Sequence, residues 1–555
     1  MRKLARAVLN ILLLANLLLT GCRAAPTVGP LPYAWPMSPA SESGWWNDAV
    51  FYEVFVRSFA DSDGDGIGDL QGLIERLDYL NDGDPATNDD LGVTGLWLMP
   101  IMQSPSYHGY DVVDYMTVEE DYGTNDDFRA LVAAAHARGI RVIIDLPLNH
   151  TSDAHPWFVE ASRNPQSPYR DWYIWSATNP GYTGPWGEAV WHPLGGVYYY
   201  ALFWSGMPDL NYRNPAVTAQ MEEVARFWLE DMGADGFRLD AARHLIEDGQ
   251  QQANTPETHA WLADFDRFTD EIGPDVLTVG EVWDQTILAA PYVVEDELDL
   301  VFEFNLAGAI LDSINAGNPQ WFAHVLEQTN NSYPRNQFAT FLTNHDQERV
   351  ISQFGGDVDK ARLAATLLLT LPGVPFIYYG EEIGMAGQKP DERIRTPMQW
   401  YYGPGAGFTD ANQPWEAVND DVETVNVAAQ SADPASLLHH YRRLIHLRNE
   451  HVALRSGGLL PLDSTCRPVY GFLRDHAAES LLVLANFGGD EQSGCAFSLA
   501  ASPLAPGEYH VRDLLADMSL AELAVDAHGG FSGYAPLATL APREGAVLWL
   551  EPVGR

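Results

Sequence analysis

The chain of 555 residues is long enough for two or three domains, and its 46% hydrophobic content supplies large cores. A formal net charge of -44 makes nucleic acid and anionic membrane surfaces poor partners, so we expect no nucleic-acid binding. A neutral substrate would be indifferent to this charge, and the 17 Trp leave aromatic side chains for contacts with it.

The N-terminus has the features of an export signal. A basic start is followed by an apolar run over residues 7–19 and then by the letters LTGC, which end at Cys22. This order is typical of a secretory signal, and its ending resembles the bacterial lipoprotein processing site, where the cysteine is lipidated. We expect residues 1–22 to be a lipoprotein signal and residues 23–44, rich in Pro, Ala and Ser, to be a flexible tether. A plain signal peptide with an incidental cysteine is the alternative.

The expected location follows from this N-terminus. The protein would be exported and held at the bacterial cell envelope by a lipid on Cys22. No other segment is long and apolar enough to span a bilayer, so the lipid anchor would be the only membrane contact.

Strand-like and helix-like segments alternate from residue 49 onward. Helical patterns cover residues 70–80 and 215–231, and Thr124, Asp127 and Gly139 delimit another helix as N-cap, third residue and C-terminal stop. The alternation predicts a parallel (β/α)8 TIM barrel formed by residues 45–148 and 212–455. Its strands are predicted at residues 49–57, 95–100, 141–148, 236–239, 277–283, 299–305, 338–346 and 375–382.

Two regions depart from this alternation. Residues 149–211 are aromatic, lack a clear period and are too long for a βα loop, so we predict an inserted subdomain after the third strand. A helix starting at Pro434 ends the barrel, and short strands and turns then predict an antiparallel C-terminal β-sandwich over residues 456–555. Cys466 and Cys495 lie there, and either a disulfide or two buried thiols fits the sequence.

Carboxylates follow three of the predicted strands. Asp240, Glu281 and Asp346 each stand where a strand ends, and the chemistry of such barrels lies at the C-terminal strand ends. A single one of them could be a helix cap or an ion-pair partner, but three on one barrel face point to glycoside hydrolysis, which needs an acid and a nucleophile.

Arg238 and Asp240 lie two residues apart in the fourth strand and therefore share one face. The pair is either an ordinary ion pair at a strand end or a carboxylate that a guanidinium keeps ionised, as a nucleophile requires. His150 and His345 are close in sequence to other strand ends and favour the second interpretation.

These residues belong to motifs that resemble the alpha-amylase family of glycoside hydrolases, family 13. The segments DLPLNH, GFRLDAARH, GEVW and FLTNHD match the family's main segments in order, and MPDLN and GVPFIYYGEE match two further ones. The resemblance implies that Asp240 is the nucleophile, Glu281 the general acid/base and Asp346 the third carboxylate. The substrate-binding residues that it implies are His108, Tyr110, Asp111, His150, Arg238, Arg243, His244, His345 and Arg395.

The same resemblance gives two opposite indications of substrate length. Arg243, where the family usually has lysine, and His244 resemble the leaving-group side of endo-acting amylases, and the small Ala241 resembles α-1,4-acting members. The letters RTPMQW resemble the branch that acts on oligosaccharides, in which Arg395 would pair with Asp111 around a terminal glucose.

An acidic loop, DSDGDGIGD, precedes the first predicted helix. Alternating carboxylates on a glycine-rich turn suit a hard cation such as Ca²⁺, although Gly72 stands where an EF-hand has its last glutamate; a solvated acidic turn is the alternative. In related family members this loop binds a structural calcium, which implies the ligands Asp61, Asp63, Asp65, Asp69 and the carbonyl of Ile67. A second calcium on Asn149, Asp209 and the His244 carbonyl is a further expectation from the family.

We therefore expect a monomeric, retaining hydrolase of α-1,4-glucosidic bonds in starch, glycogen or maltooligosaccharides. An α-glucosidase or transglycosylase of the same family is the nearer alternative. A non-catalytic glucan-binding homologue is the remote one, because such relatives lose carboxylates that this chain keeps.

Overall fold

The structure, a computed structural model, describes residues 44–554. Eight parallel strands form one sheet, and a parallel bridge between Phe302 and Ala339 joins its two edges. The predicted TIM barrel is thus confirmed. The strands are β1 (Phe51–Val54), β2 (Gly95–Leu98), β3 (Arg141–Leu146), β4 (Gly236–Leu239), β5 (Leu277–Gly280), β6 (Leu300–Val301), β7 (Ala339–Thr340) and β8 (Val374–Tyr378). Their spatial order in the sheet is β6-β5-β4-β3-β2-β1-β8-β7.

Several strands are shorter than their sequence patterns predict. The pattern around β7 covers residues 338–346, but only Ala339 and Thr340 pair as a strand. The residues that follow leave the sheet and turn towards the pocket, because Asp346 there forms ion pairs with His345 and Arg395 instead of ladder bonds.

Aromatic side chains fill the barrel next to the start of β1. Phe51 stacks on Phe376 with ring centroids 4.4 Å apart, and Trp97 and Phe302 pack beside them. A Cβ atom on Gly95 would come within 2.5 Å of the Phe51 ring, so this aromatic layer requires glycine at the start of β2.

Helices surround the strands, and their ends follow local side-chain bonds. The predicted capping box of Thr124 and Asp127 is present. The α-helices are Val56–Phe59, Leu70–Glu75, Leu77–Leu80, Asn125–His136, Pro156–Arg163, Pro215–Arg226, Pro256–Ile272, Thr286–Ala289, Pro291–Val294, Phe304–Ala316, Gln320–Ser332, Val350–Gln353, Val358–Thr370, Asp391–Ile394, Val427–Ser431, Leu437–Glu450 and Val452–Ser456, with 3-10 turns at Trp45–Asp48, Arg170–Trp172, Ala242–His244 and Pro404–Gly407 and a π-turn at Phe227–Asp231.

Two predicted helices differ from the structure. The helix expected over residues 70–80 is broken at Arg76, whose guanidinium lies over the Trp400 ring and donates to the Gly407 carbonyl. The helix expected from Pro434 begins at Leu437, because Ser436 caps it by accepting a hydrogen bond from the His439 amide.

The chain between β3 and the helix Pro215–Arg226 forms a small layer of its own. After the helix Pro156–Arg163 comes a three-stranded antiparallel sheet with Val197–Tyr200 between Trp175–Ser176 and Trp191–Leu194. A two-stranded ribbon, Met102–Gln103 with Asp114–Val118, follows β2. These elements carry aromatic side chains towards the C-terminal strand ends of the barrel.

The C-terminal region is antiparallel, as expected, and a disulfide joins Cys466 to Cys495. Among the described residues, no helix is both long and apolar enough to cross a membrane. The main sheet of the C-terminal region contains Gly458–Pro461, Val469–His476, Glu479–Asn486, Gly545–Pro552, Gly507–Asp513, Met518–Ser519 and Leu523–Val525. A three-stranded sheet contains Asp463–Ser464, Phe497–Leu499 and Phe531–Tyr534, and a two-stranded sheet contains Gln492–Ser493 and Thr539–Leu540.

Candidate active site

One guanidinium joins the carboxylates that follow β4 and β5. Arg238 Nη1 lies 2.7 Å from Asp240 Oδ1, and Arg238 Nη2 lies 2.9 Å from Glu281 Oε2. The strand period places Arg238 and Asp240 on one face, and β5 pairs in register with β4, which brings Glu281 beside them. The predicted nucleophile and acid/base therefore lie on either side of one buried cation.

A further carboxylate, that of Asp145, contacts the same guanidinium and was not singled out from the sequence. Asp145, on β3, accepts from Arg238 Nη1 at 2.8 Å and from the Tyr110 hydroxyl at 3.0 Å. Burial raises the pKa of Asp145 to about 7, against the opposing charge of Arg238. Its signal was present in the motif DLPLNH, but a carboxylate inside a predicted buried strand was not recognised as a partner of Arg238.

His345 connects Asp346, the third of the predicted carboxylates, to Glu53 of β1. Its Nδ1 lies 2.6 Å from Glu53 Oε1, and its Nε2 lies 3.3 Å from Asp346 Oδ2. Burial lowers the pKa of His345, but the charges of Asp346 and Glu53 outweigh it and raise this pKa to about 9. Glu53 was also missed, because it stands in the middle of the predicted first strand.

The carboxylates differ in how their surroundings treat charge. Burial raises the pKa of Glu281, and the charges of Asp240 and Asp346 add to this despite Arg238. Burial also raises the pKa of Asp240, and here Arg238 opposes it by charge and by hydrogen bond. Burial acts on Asp346 as well, but His345 and Arg395 hold its pKa well below the usual range. The surroundings therefore raise the pKa of Glu281 and lower that of Asp346.

The residue after Asp240 adopts a left-handed backbone conformation. Ala241 has φ 49°, which side chains other than glycine seldom adopt, and its amide donates to Glu281 Oε2 at 3.0 Å. The turn aims that amide at the acid/base carboxylate, which no sequence pattern indicates.

Three predicted sugar-binding side chains, Tyr110, His345 and His108, form one wall of the site, the sugar-binding wall. The Tyr110 ring stacks on His345 with centroids 5.5 Å apart, and its hydroxyl lies 2.6 Å from His345 Nε2. The His108 ring also stacks on Tyr110, at 6.1 Å between centroids. Burial lowers the pKa of His150 to about 4, and its Nε2 is buried without a protein partner. A neutral imidazole with a free nitrogen suits a sugar hydroxyl.

The expected pair of Asp111 and Arg395 is not formed. Arg395 Nη2 instead lies 2.8 Å from Asp346 Oδ1 and 3.4 Å from Asp391 Oδ2. Asp111 Oδ1 accepts from the hydroxyls of Ser104, at 2.8 Å, and Ser106. Hydroxyls of its own loop thus satisfy Asp111, and Arg395 pairs with Asp346 instead.

Arg243 and His244 follow the fourth strand as expected but are held by protein groups. Arg243 Nη1 lies 3.0 Å from Asp284 Oδ2 and also donates to the Trp283 carbonyl. His244 Nδ1 lies 2.6 Å from the Gln252 carbonyl, and burial lowers the pKa of His244 to about 4.

Exposed tryptophans near these residues were not predicted. Trp283 is 48% exposed and stacks on Phe304 at 4.6 Å, two residues after Glu281. Trp186, 63% exposed, stacks on Phe203 and lies 6.0 Å from the His244 ring. Both offer open aromatic faces of the kind that sugar rings use.

The acidic loop forms a compact cluster. Carboxylate oxygens of Asp61, Asp63 and Asp65 lie within 4.8 Å of one another, a spacing that a single Ca²⁺ could bridge. Burial raises the pKa of Asp65, to which the charge of Asp63 adds, so a cation would relieve the repulsion. Gly64 and Gly66 have φ of 82° and 99°, which explains the glycines.

Asp69 has a different role within this loop. Its Oδ1 caps the helix Leu70–Glu75 by accepting from the Gly72 amide at 2.7 Å, and its Oδ2 accepts from the Ser62 amide. Ile67 donates its amide to Asp65 Oδ1 at 2.8 Å. The structure thus brings three of the five predicted ligands into the cluster and uses Asp69 to hold the loop.

Two of the three residues expected for a second calcium, Asn149 and Asp209, lie together. Asn149 and Asp209 are buried, and Asn149 Oδ1 and Asp209 Oδ2 have no protein partner. Burial raises the pKa of Asp209 well above its ordinary value, and the charge of Glu247 adds to the effect. Buried oxygens without donors fit a cation at this position.

Comparison with known proteins agrees with this geometry. The family described as "Alpha amylase, catalytic domain" matches residues 53–457. Alpha-amylase 3 of Dictyoglomus thermophilum is 42% identical over 452 residues, with 80% of this chain and 85% of the relative covered. An oligo-1,6-glucosidase of Parageobacillus thermoglucosidasius is 34% identical over 527 residues, covering 80% and 91%. The crystal structure of the alpha-amylase from H.orenii superposes with a TM-score of 0.79 at 44% identity, covering 91% of this chain and 99% of that one. The chain belongs to the alpha-amylase family of glycoside hydrolases.

Proposed function

We propose that this enzyme is a retaining hydrolase of α-1,4-glucosidic bonds in starch, glycogen or maltooligosaccharides. The observation that carries the proposal is the single guanidinium of Arg238 between Asp240 and Glu281. It keeps two carboxylates of different environment at one reaction centre, as the double displacement requires.

Each carboxylate has its own step in the proposed mechanism. Asp240 attacks the anomeric carbon and forms a glycosyl-enzyme ester, while Glu281 gives its proton to the departing glycosidic oxygen. Glu281 then takes a proton from water, which attacks the same carbon and releases Asp240. Burial keeps the pKa of Glu281 raised for the first step. Asp346 and His150 bind hydroxyls of the distorted sugar.

Two features support α-1,4 linkages. The residue after the nucleophile is Ala241, whose small side chain resembles α-1,4-acting members of the family. The relative with 42% identity is named an alpha-amylase, whereas the oligo-1,6-glucosidase is 34% identical.

An α-glucosidase or transglycosylase acting on short chains is the second candidate. The clamp of Arg395 on Asp346 favours it, because a guanidinium at this wall could close the pocket around a terminal sugar. The names of other relatives, such as a trehalose synthase/amylase of Mycolicibacterium smegmatis that is 37% identical over 492 residues with 78% of this chain covered, keep this candidate relevant.

The roles of Asp240 and Glu281 are tested by azide rescue with an activated aryl α-glucoside as substrate. Asp240→Ala and Glu281→Ala should each lower kcat on maltooligosaccharides by about 10³-fold or more. In Glu281→Ala, azide attacks the glycosyl-enzyme and should give a product of retained configuration. In Asp240→Ala, azide replaces the nucleophile and should give an inverted product. NMR reads the anomeric configuration, and products of equal configuration would contradict the two assignments.

The choice of substrate is tested by a product profile. Starch, maltooligosaccharides, pullulan and dextran are digested separately, and early products are sized. Internal cleavage of starch supports the amylase assignment. Glucose alone from chain ends supports the second candidate, and cleavage restricted to dextran would contradict α-1,4 specificity.

We also propose a structural Ca²⁺ on the loop of Asp61, Asp63 and Asp65, and a lipid anchor on Cys22 at the cell envelope. The carboxylate cluster supports the first. The motif LTGC supports the second, and Cys22 lies outside the described residues. The cation would supply charge neutralisation to the loop, and the reaction steps above do not involve it.

A further inference from the structure

One side chain outside the carboxylate cluster contacts Tyr107, which packs edge-on against His108 of the sugar-binding wall, and is linked to Arg395. The Trp415 ring stacks on Tyr107 with centroids 5.4 Å apart. Its indole Nε1 donates to Ser58 Oγ at 3.0 Å, and Ser58 Oγ donates to the Arg395 carbonyl at 2.5 Å. The Arg395 guanidinium in turn lies 5.9 Å from the Tyr107 ring centre. Trp415 therefore contacts Tyr107 directly and Arg395 through one buried hydroxyl.

The backbone of Trp415 is fixed by the acidic loop. Its amide donates to the Gly66 carbonyl at 2.8 Å. Asp61 accepts from the Thr409 hydroxyl, and the Asp61 amide donates to the Phe408 carbonyl at 2.8 Å. Residues 408–415 thus run along the loop that carries the candidate cation ligands and end at Trp415, which stacks on Tyr107.

The acidic loop and residues 408–415 pack closely against each other. A Cβ atom on Gly66 would lie 2.5 Å from the carbonyl oxygen of Gln413, two residues before Trp415. Arg57 adds a cation–π contact at 5.5 Å from the Trp415 ring, and Phe55 packs edge-on against it at 5.8 Å. A displacement of the loop would therefore move the indole.

We propose that Trp415 is a positioning residue that sets Arg395 and Tyr107 for substrate and couples both to the acidic loop. The inference rests on the function proposed for this site. Arg395 is the group through which it acts, because its guanidinium pairs with Asp346 at 2.8 Å. Asp240 and Glu281 have their own partner, Arg238, so the effect should fall on KM more than on kcat.

The first test is the kinetics of Trp415→Phe on maltotriose. Phenylalanine keeps an aromatic face for Tyr107 but removes the indole donor to Ser58. We expect KM to rise about tenfold and kcat to stay within about threefold of wild type. Trp549→Phe, in the C-terminal strand Gly545–Pro552, is the matched control and should change neither constant. An unchanged KM in Trp415→Phe would overturn the proposal.

A double-mutant cycle separates positioning from general loosening. If Trp415 acts through Arg395, Trp415→Phe should raise KM much less in an Arg395→Lys background than in wild type. Fully additive effects would show that Trp415 does not act through Arg395, and would overturn the assignment. Absence of maltotriose hydrolysis by wild type would instead contradict the proposed function, which keeps the two failures distinguishable.

The link to the loop has a readout that does not depend on turnover. Thr409→Val removes the hydroxyl that donates to Asp61 and accepts from the Ala411 amide, while Thr409→Ser keeps it. Calorimetric titration of the apo protein with Ca²⁺ should show weaker binding in Thr409→Val only, and KM on maltotriose should rise in the same variant. Unchanged Ca²⁺ binding together with unchanged KM in Thr409→Val would overturn the coupling.

Discussion

Arg238 forms ion pairs with Asp145, Asp240 and Glu281 at once, and its side chain is almost fully buried. Three carboxylates around one guanidinium leave excess negative charge in a region of low dielectric, which favours retention of a proton by one of them. Burial and the neighbouring charges raise the pKa of Glu281. Burial also raises the pKa of Asp240, but Arg238 opposes that shift by charge and by hydrogen bond, so the two carboxylates have different surroundings.

His345 has the opposite role, as a buried cation between two carboxylates. Glu53 and Asp346 contact its two ring nitrogens, and Tyr110 shares the Nε2 side. An ionised Asp346 is needed for hydrogen bonds to sugar hydroxyls, and the imidazolium keeps it ionised. Burial lowers the pKa of His345, but these two charges raise it to about 9.

This shift predicts a pH dependence of stability. A group whose pKa rises on folding stabilises the folded state fully below its unfolded pKa, near 6.5, and loses that contribution as pH rises through about 9. The free energy of unfolding of wild type relative to His345→Gln should therefore be largest below pH 6.5 and shrink by about 3 kcal/mol at most by pH 10. Denaturant unfolding at stepped pH measures it, and a difference that grows with pH would contradict the charged His345.

The elements of the site are strand ends and the loops that follow them. Strands such as β7 are short, so the backbone after them leaves the sheet and the side chains that follow turn towards the site. The acidic loop has the same character, because it is fixed by bonds between its own carboxylates and amides and by the helix cap of Asp69. Such loops gain stability from a cation that neutralises their charge.

The second prediction concerns that loop. Asp63→Ala with Asp65→Ala should remove the stabilisation that Ca²⁺ gives, about 2.7 kcal/mol at a free concentration of 100 times Kd, while kcat of the folded enzyme stays within about threefold. Thermal unfolding with and without Ca²⁺ measures this. Asp82→Ala with Asp84→Ala, in another exposed acidic turn, is the control and should keep the wild-type response to Ca²⁺. A response retained by the Asp63 and Asp65 variant would remove the metal from this loop.

The sequence predicts some elements of the site well and others poorly, for physical reasons. Asp240 and Glu281 were placed together because the strand period and the parallel order of strands fix neighbouring strand ends. Asp145 was not singled out, because it stands inside a predicted buried strand, where the sequence pattern does not mark a carboxylate as a partner of Arg238. The pairing of Arg395 with Asp346 was not predicted, because the path of the loop before Arg395 leaves no periodic pattern.

At the scale of the whole molecule, the location of the enzyme is a proposal from residues 1–44. Cys22→Ser should abolish lipidation and leave the protein soluble or with an uncleaved signal, because the modified thiol is absent. Membrane fractionation and mass spectrometry of the mature N-terminus measure this. Wild type recovered free in the medium and beginning at a residue other than Cys22 would contradict the anchor.

The barrel and the C-terminal region meet at two buried arginines. Arg448 donates to the carbonyls of Leu369, Leu371 and Gly373, and Arg474 donates to the Thr370 carbonyl from the neighbouring sheet. Together they satisfy carbonyls at the end of the helix Val358–Thr370, where the helix dipole favours positive charge. Among the described residues, no carboxylate forms an ion pair with either arginine, and burial lowers the pKa of Arg448 to about 9.

The last prediction tests this junction. Arg474→Met would leave the carbonyls of Thr370, Gly457 and Gly458 without their guanidinium donor. Each unsatisfied buried carbonyl costs about 1–3 kcal/mol, but removal of one charge also relieves repulsion with Arg448. We expect a net loss of about 2–4 kcal/mol and separate unfolding transitions for the barrel and the C-terminal region in calorimetry. Arg512→Met, an exposed arginine of the same domain, should keep the wild-type transition. A raised melting temperature in Arg474→Met would show that desolvation of the buried charge outweighs its three hydrogen bonds.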